Sequence, residues 1–317
     1  MAQRLVTVFG GSGFVGRYLV RRLAAEGARV RVAVRDPEAA AFCKPMGDVG
    51  QVMPVQANLR HPASVARAVD GADAVVISVG VLYESGSQSF AAVHVNGPGR
   101  VAQAATAAGV KRLLHVSAIG SDPESPAKYG RSKAAGEALV REAFPGASIV
   151  RPSIVFGPED DFFNRFANMA RVAPVLPLIG GGHTRFQPVY VGDVALAMQA
   201  MLADDAWAGR TVELGGPRIY TFKQLLELIC EVTGRKRFLA PVPYQLMRPF
   251  AAIAGLAPVP PLTLDQLDML TVDNVVSQGA TGLADLGIEP RTAEAIVPSY
   301  LHRYRRAGKL PETRAGY

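Results

Sequence analysis

The chain has 317 residues, 49% hydrophobic and 19% charged, a balance that excludes a disordered or fibrous protein. Its net charge of +7 sits toward the front: residues 1–150 hold 17 Lys and Arg against 11 Asp and Glu, residues 151–317 hold 17 against 16. Such a surface attracts phosphate, anionic lipid or an acidic partner, but no basic run is interleaved with aromatics, so nucleic acid is not an expected partner.

The opening Met1-Ala2-Gln3-Arg4 runs straight into an apolar strand without a signal-peptide profile, so a cytoplasmic protein is expected. Strand-like runs follow at Leu5–Phe9, Val30–Val34, Gln51–Val55, Ala74–Val79, Arg112–Ser117 and Ser148–Val150. Helical patterns lie between them, clearest at Phe14–Glu26, Phe90–Ala108 and Ala127–Ala143. In the first, Val15, Leu19 and Leu23 recur every fourth residue and Gly27 supplies a stop. Strands alternating with helices imply an α/β fold, a doubly wound parallel Rossmann sheet covered on both faces. Residues 1–150 are expected to form the dinucleotide-binding core. Residues 151–317 are expected to form a smaller C-terminal lobe over the cleft, partly interleaved with the core.

After residue 150 the rhythm loosens, and Gly and Pro become frequent, as in long loops over a cleft. Regular structure is expected again at Val191–Leu202, at the strand-like Thr211–Leu214, and in a helix opening with a capping box at Thr221-Phe222-Lys223-Gln224. The longest stretch free of charged residues, Pro249–Leu264, carries four prolines and cannot be an ordinary membrane-spanning helix. Tyr244–Leu256 reads either as a short amphipathic helix at a membrane or subunit surface or as a lid over the cleft. The basic tail, with Arg303, Arg305, Arg306 and Lys309, reads as a solvated helix end or a contact for acidic head groups. The five histidines are scattered without ligand spacing and Asp160-Asp161 has no third ligand nearby, so no metal is expected. Cys43 and Cys230 are too few and too far apart for a disulfide scaffold.

The strongest motif is Phe9-Gly10-Gly11-Ser12-Gly13-Phe14-Val15-Gly16, which follows the first strand and opens the first helix. It fits two frames, Gly10-x-x-Gly13-x-x-Gly16 and Gly11-x-Gly13-x-x-Gly16. In either, one glycine permits the tight turn, Gly13 lets backbone approach a pyrophosphate, and Gly16 lets helix pack on strand. The second strand ends at Val34 and is followed by Arg35, which can grip a ribose 2′-phosphate, so NADP(H) is favoured over NAD(H). Asp36 reads as the cap of the next turn or as a ribose ligand. Asn58, Leu59, Val79 and Val116 complete the expected cofactor contacts within the core.

Tyr129 and Lys133 stand four apart on a helix, so both face one side. An ammonium close by, with a positive nicotinamide ring, would lower the phenol below its usual ~10 and let it pass a proton to a carbonyl oxygen.

The glycine loop, the Tyr129–Lys133 pair, the run Arg151-Pro152-Ser153-Ile154-Val155-Phe156-Gly157-Pro158 and Val189–Ala195 together resemble the extended and atypical short-chain dehydrogenases/reductases. That resemblance implies that Pro152, Ser153 and Val155 line the nicotinamide end. It also implies a catalytic serine after the fifth strand. The register over Leu113–Gly120 puts either Ser117 or Ala118 there, with Ala118 slightly favoured and Ser121 close enough to substitute. More narrowly, His115–Gly120, Glu213–Pro217, Leu262–Leu267 and Asp273–Ser277 resemble the nucleotide-binding accessory subunit of respiratory complex I and its bacterial relatives. What this resemblance implies is a bound NADPH, complex I subunits as partners, and a peripheral place on the inner face of the cytoplasmic membrane. Two other functions stay open: an active NADP(H)-dependent reductase or dehydrogenase of a hydrophobic carbonyl substrate, for which the resemblance implies a link to ubiquinone metabolism, and a nucleotide-sensing regulator.

Overall fold

The computed structural model describes residues 4–258 and 260–305. In chain order the first half gives β1 (Leu5–Phe9), α1 (Phe14–Ala25), β2 (Arg29–Val34), β3 (Val52–Gln56), α2 (Pro62–Val69), β4 (Ala74–Ile77), α3 (Gly97–Ala107), β5 (Arg112–Val116), α4 (Lys128–Ala143) and β6 (Ser148–Pro152). The second half gives β7 (Val155–Phe156), α5 (Phe162–Val172), β8 (Val175–Ile179), β9 (Arg185–Phe186), β10 (Val189–Tyr190), α6 (Val191–Ala203), β11 (Thr211–Leu214), β12 (Tyr220–Thr221), α7 (Phe222–Thr233), β13 (Phe238–Val242), α8 (Tyr244–Ala254), α9 (Leu264–Met269) and α10 (Ala293–Leu301).

Seven parallel strands form the central sheet in the order β11-β6-β5-β4-β1-β2-β3. The chain builds β1, β2 and β3 to one side, then returns to lay β4, β5 and β6 on the other. The order therefore reverses between β1 and β4, and the loops diverging there open a crevice at the carboxyl ends of the strands. The seventh strand, β11, comes from the second half of the chain.

The pleat sorts the core. Val6 and Val8 face α1 and α6 together with Leu19, Val32, Leu114 and Met198. Phe9 faces α2, α3 and α4 together with Val75, Ile77, Leu113 and Val140. A separate cluster built on Phe156, Phe163, Leu176, Phe222, Leu226 and Val297 is the core of the C-terminal lobe.

One expectation needs amending. Phe90–Ala108 is not one regular helix, because residues Ala91–Asn96 are wound as a π-helix ahead of α3. Pro98 has no amide to donate to the His94 carbonyl. Gly136 of α4 closes on that same carbonyl, and a Cβ there would stand 1.9 Å from it. The described part of the basic tail, just past α10, keeps Arg303 exposed and is held to the lobe by two of its bases. Arg303 donates to the Pro158 carbonyl and Arg305 to that of Val232, whereas Arg306 and Lys309 lie outside the described residues.

The capping box at Thr221 and Gln224 forms in both directions, and Thr263 with Gln266 builds a second one on α9. Asp160 is buried and caps α5, accepting from the Phe163 and Asn164 amides and from the Tyr300 hydroxyl of α10. Among the described residues no group of His, Cys, Asp and Glu is arranged to hold a metal ion, and no helix is long and apolar enough to cross a membrane.

Candidate nucleotide site and the tyrosine–lysine pair

Because the sheet is parallel, the residues that follow β1 to β6 all emerge at one edge. The sequence-derived candidates sit there: residues 10–16 after β1, Arg35 after β2, Asn58 and Leu59 after β3, Val79 after β4, Val116 and Ser117 at β5, and residues 152–155 at β6.

The glycine loop takes the Gly10-x-x-Gly13-x-x-Gly16 frame. Gly10 has φ +77°, and a Cβ would lie 2.6 Å from the Ser78 carbonyl oxygen, with Val79 packed on the same spot. At Gly16 a Cβ would lie 2.2 Å from the Gly10 oxygen, which is how closely α1 meets the turn. Gly13 is exposed, and a Cβ there would lie 3.1 Å from the Gly10 oxygen. It starts α1 with no side-chain cap and no acid in the first turn, so the helix amides and dipole are available to a pyrophosphate. Arg17 folds back onto the loop, donating to the carbonyls of Ser12 and Gly13. The ring of Phe14 lies beside Gly157, 3.3 Å from where a Cβ would be, so the lobe closes on the loop at this point. Val15 packs into the core beneath the loop.

At the end of β2, Arg35 is exposed and makes no hydrogen bond or ion pair among the described residues. Asp36 is occupied differently: its Oδ1 accepts from the amides of Glu38 and Ala39 at 3.0 and 3.1 Å, capping the following turn. Asn58 likewise closes its own turn through Arg60, and Leu59 packs against Gly97 at the start of α3.

Tyr129 is half-buried on the first turn of α4, with Lys133 one turn on and buried. Lys133 Nζ donates to the Val116 carbonyl at 3.3 Å and lies 5.8 Å from the Tyr129 ring centre. The chain's own groups do not lower the phenol. Burial, reinforced by the negative charge of Asp265, pushes Tyr129 up to about 12. Burial also brings Lys133 down to about 8, with Glu137 opposing. Without a nucleotide, desolvation penalises both charged forms, and only at Lys133 does a neighbour, Glu137, offset it in part.

Sequence reasoning passed over His94. Its ring stacks on Phe90 with centroids 5.1 Å apart and meets Tyr129 edge-on at 5.3 Å. Nε2 accepts from the Val81 amide, so the proton of the neutral ring is on Nδ1 and is donated to Ser132 Oγ; that hydroxyl in turn donates to the Tyr129 carbonyl. Burial and the Lys133 charge hold His94 at about 3, and the ring is a neutral spacer behind Tyr129.

Ser117 ends β5 with its amide on the Val150 carbonyl and its hydroxyl 2.8 Å from that of Ser121, which itself donates to Ala118. Ala118 is half-exposed. Pro152 closes β6 and accepts from the Ile119 amide, while Val155 pairs with Val189. Ser153 gives its hydroxyl to Asn274, whose side chain also accepts from the Ile154 amide and donates to the Ile119 carbonyl at 3.3 Å. The run Asp273–Ser277 thus straps the segment expected to line the nicotinamide end. Its letters were visible in the sequence, but its place was not.

The NAD dependent epimerase/dehydratase family model matches residues 6–215. The chain is 36% identical over 316 residues to the NADH dehydrogenase [ubiquinone] 1 alpha subcomplex subunit 9 of Arabidopsis thaliana, covering 96% of this chain and 79% of that one. It is 34% identical over 300 residues to the NADH-ubiquinone oxidoreductase 40 kDa subunit of Neurospora crassa, covering 94% and 79%. It is also 32% identical over 244 residues to the ceramide reductase of Caulobacter vibrioides, covering 76% and 74%. Among solved structures, the triphenylmethane reductase of Citrobacter superposes with a TM-score of 0.74 at 19% identity over 93% of this chain and 99% of that one, a likeness of fold. With the glycine loop, the parallel sheet and the Tyr129–Lys133 pair in place, the chain belongs to the NAD dependent epimerase/dehydratase family.

Proposed function

We propose that this chain is a nicotinamide-nucleotide-binding accessory subunit associated with respiratory complex I (NADH:ubiquinone oxidoreductase), holding its nucleotide mainly as a structural or redox-sensing ligand. One observation carries the reading. Relatives named as complex I subunits match over 96% and 94% of the chain, so the likeness runs through the C-terminal lobe as well as the core. The site supports holding over turnover, since the hydroxyls of Ser117 and Ser153 are engaged by Ser121 and Asn274. A nucleotide present at a thousand times its Kd adds about 4 kcal/mol to the fold, enough for a ligand to act as structure.

NADP(H) is the favoured nucleotide. Arg35, at the end of β2, is unpartnered among the described residues and suits a 2′-phosphate, while Asp36 is taken up by its turn. The loop residues Gly10, Ser12, Gly13, Phe14, Val15 and Gly16 would cradle the pyrophosphate. Asn58, Leu59, Val79 and Val116 would line its path, and Pro152, Ser153 and Val155 the nicotinamide end. We place the chain peripherally on the inner face of the cytoplasmic membrane, with α8 toward the surface.

The test is one of company. Native membranes are solubilised gently, complexes separated, and this chain located relative to NADH–quinone reductase activity, with nucleotide released from the same fraction. Co-migration with stoichiometric NADPH is expected; a chain that runs apart from that activity overturns the reading.

A second reading is favoured by Tyr129, Lys133 and the ceramide reductase relative: an NADP(H)-dependent reductase of a hydrophobic carbonyl compound. A bound nucleotide would supply the hydride for the carbonyl carbon. Tyr129 would give its phenolic proton to the oxygen, with Lys133 holding positive charge behind it. NADPH oxidation with a defined carbonyl, abolished in Tyr129→Phe, would establish this reading.

A further inference from the structure

The helix that carries Tyr129 has no cap of its own. Ala127 stands at the N-cap of α4 and offers no side-chain acceptor. Its first amides are satisfied from far along the chain: Asp265 Oδ1 accepts from the Lys128 amide at 2.5 Å and Oδ2 from the Tyr129 amide at 3.1 Å. Asp265 is not free to wander, because α9 is fixed to the C-terminal lobe around it. Thr263 and Gln266 cap α9, Leu267 is buried in the lobe core, and Asp268 pairs with Arg248 of α8 at 2.7 Å. The carbonyl of Leu270 accepts from the Tyr244 hydroxyl at 2.6 Å.

We propose that Asp265 is a positioning residue for the Tyr129–Lys133 pair, a carboxylate clamp by which the C-terminal lobe sets the place and the electrostatic surroundings of Tyr129. The clamp operates whether the nucleotide is held or turned over. A two-oxygen acceptor on successive first-turn amides fixes both the axial position and the rotation of α4 where Tyr129 leaves it. The titratable groups facing Tyr129 are His94 from the π-helical segment, Lys133 from α4 and Asp265 from α9. His94 has both ring nitrogens hydrogen-bonded and is neutral, so the local charge is set by Lys133 on one side and Asp265 on the other. A carboxylate there opposes formation of phenolate.

The test uses the full chain with 13C-labelled tyrosine, the Tyr129 resonance being identified by its loss in Tyr129→Phe. Asp265→Asn keeps an acceptor oxygen and removes the charge. It is expected to lower the Tyr129 titration by about half a pH unit or more, seen as a larger phenolate fraction at about pH 11. Asp265→Ala, lacking the acceptor too, is expected in addition to weaken NADPH binding severalfold. A Tyr129 that titrates identically in wild type and Asp265→Asn overturns the proposal. Should the variants not fold, amide exchange on the wild-type chain decides. The Lys128 and Tyr129 amides are expected to be protected well beyond ordinary first-turn amides, and rapid exchange at both overturns the clamp. These readouts need neither complex I nor turnover, so their failure is distinct from failure of the proposed function.

Discussion

Gly13 and Gly16 lie three residues apart and should fail differently. A methyl at Gly16 would press on backbone, 2.2 Å from the Gly10 oxygen, and backbone cannot step aside cheaply. Gly16→Ala is expected to lower stability by about 1–3 kcal/mol in urea unfolding. At Gly13 the nearest atom to such a methyl is 3.1 Å away. Gly13→Ala should therefore cost clearly less stability than Gly16→Ala and act chiefly on nucleotide affinity, so a loss as large as at Gly16 would contradict the assignment. The two buried histidines give a second prediction. His94 and His115 are each held at about 3 by burial, and neither ring nitrogen of His115 has a partner among the described residues. In the unfolded chain a histidine titrates near ~6.5, so below that pH the unfolded state takes up protons that the fold refuses. Stability is full above ~6.5 and falls by about 1.4 kcal/mol per pH unit for each residue down to about 3. His115→Phe, compared with wild type by urea unfolding at pH 7.5 and about pH 4.5, should flatten that fall by one proton; an unchanged slope would rule out the neutral buried ring.

The elements most legible in the sequence were those whose signals are local. The runs at β1, β4 and β5 and the helices at α1 and α4 declare themselves by period, α1 also by the glycine that follows it, and Tyr129 and Lys133 announce a shared face by spacing alone. What stayed hidden was made by distant partners. Asp265 reaches Tyr129 across 136 residues and Asn274 reaches Ser153 across 121, and strands of two residues such as β7 and β10 exist only through each other. The same long reach governs the joint between α4, β6 and β11. Arg151 grips Glu137 of α4 with two hydrogen bonds, at 2.9 and 2.7 Å, and stands 3.5 Å from Glu213 of β11, which accepts from the Ser277 amide. Both carboxylates are buried, so Arg151→Leu would strand two negative charges and is expected to cost about 3 kcal/mol. Adding Glu137→Gln should return part of that loss, because it removes one of the stranded charges. If the double variant proved as unstable as the single, the arginine would be acting through packing alone.

At the scale of the whole molecule, α8 is the element whose surface the fold does not account for. It turns Tyr244, Met247 and Ala251 into the lobe and leaves Leu246, Phe250, Ile253 and then Leu256 exposed by 53–86%, at spacings of four, three and three residues. That is one continuous apolar stripe pointing outward. Between Glu231 and Asp265 the sequence holds no acid and four bases, Arg235, Lys236, Arg237 and Arg248. An apolar stripe in an acid-free, base-bearing segment suits the boundary of an anionic bilayer, where buried side chains and basic residues add, each base near the surface contributing about 1 kcal/mol. The triple change Leu246→Asp, Phe250→Asp and Ile253→Asp alters only exposed positions, so the melting curve should hold while the chain moves from the membrane to the soluble fraction. Flotation with phosphatidylglycerol vesicles separates lipid from protein as the surface recognised. Wild type that floats, less so in high salt and not at all as the triple variant, places α8 on lipid. Wild type that ignores vesicles yet leaves native membranes when the stripe is changed would place α8 against another subunit instead.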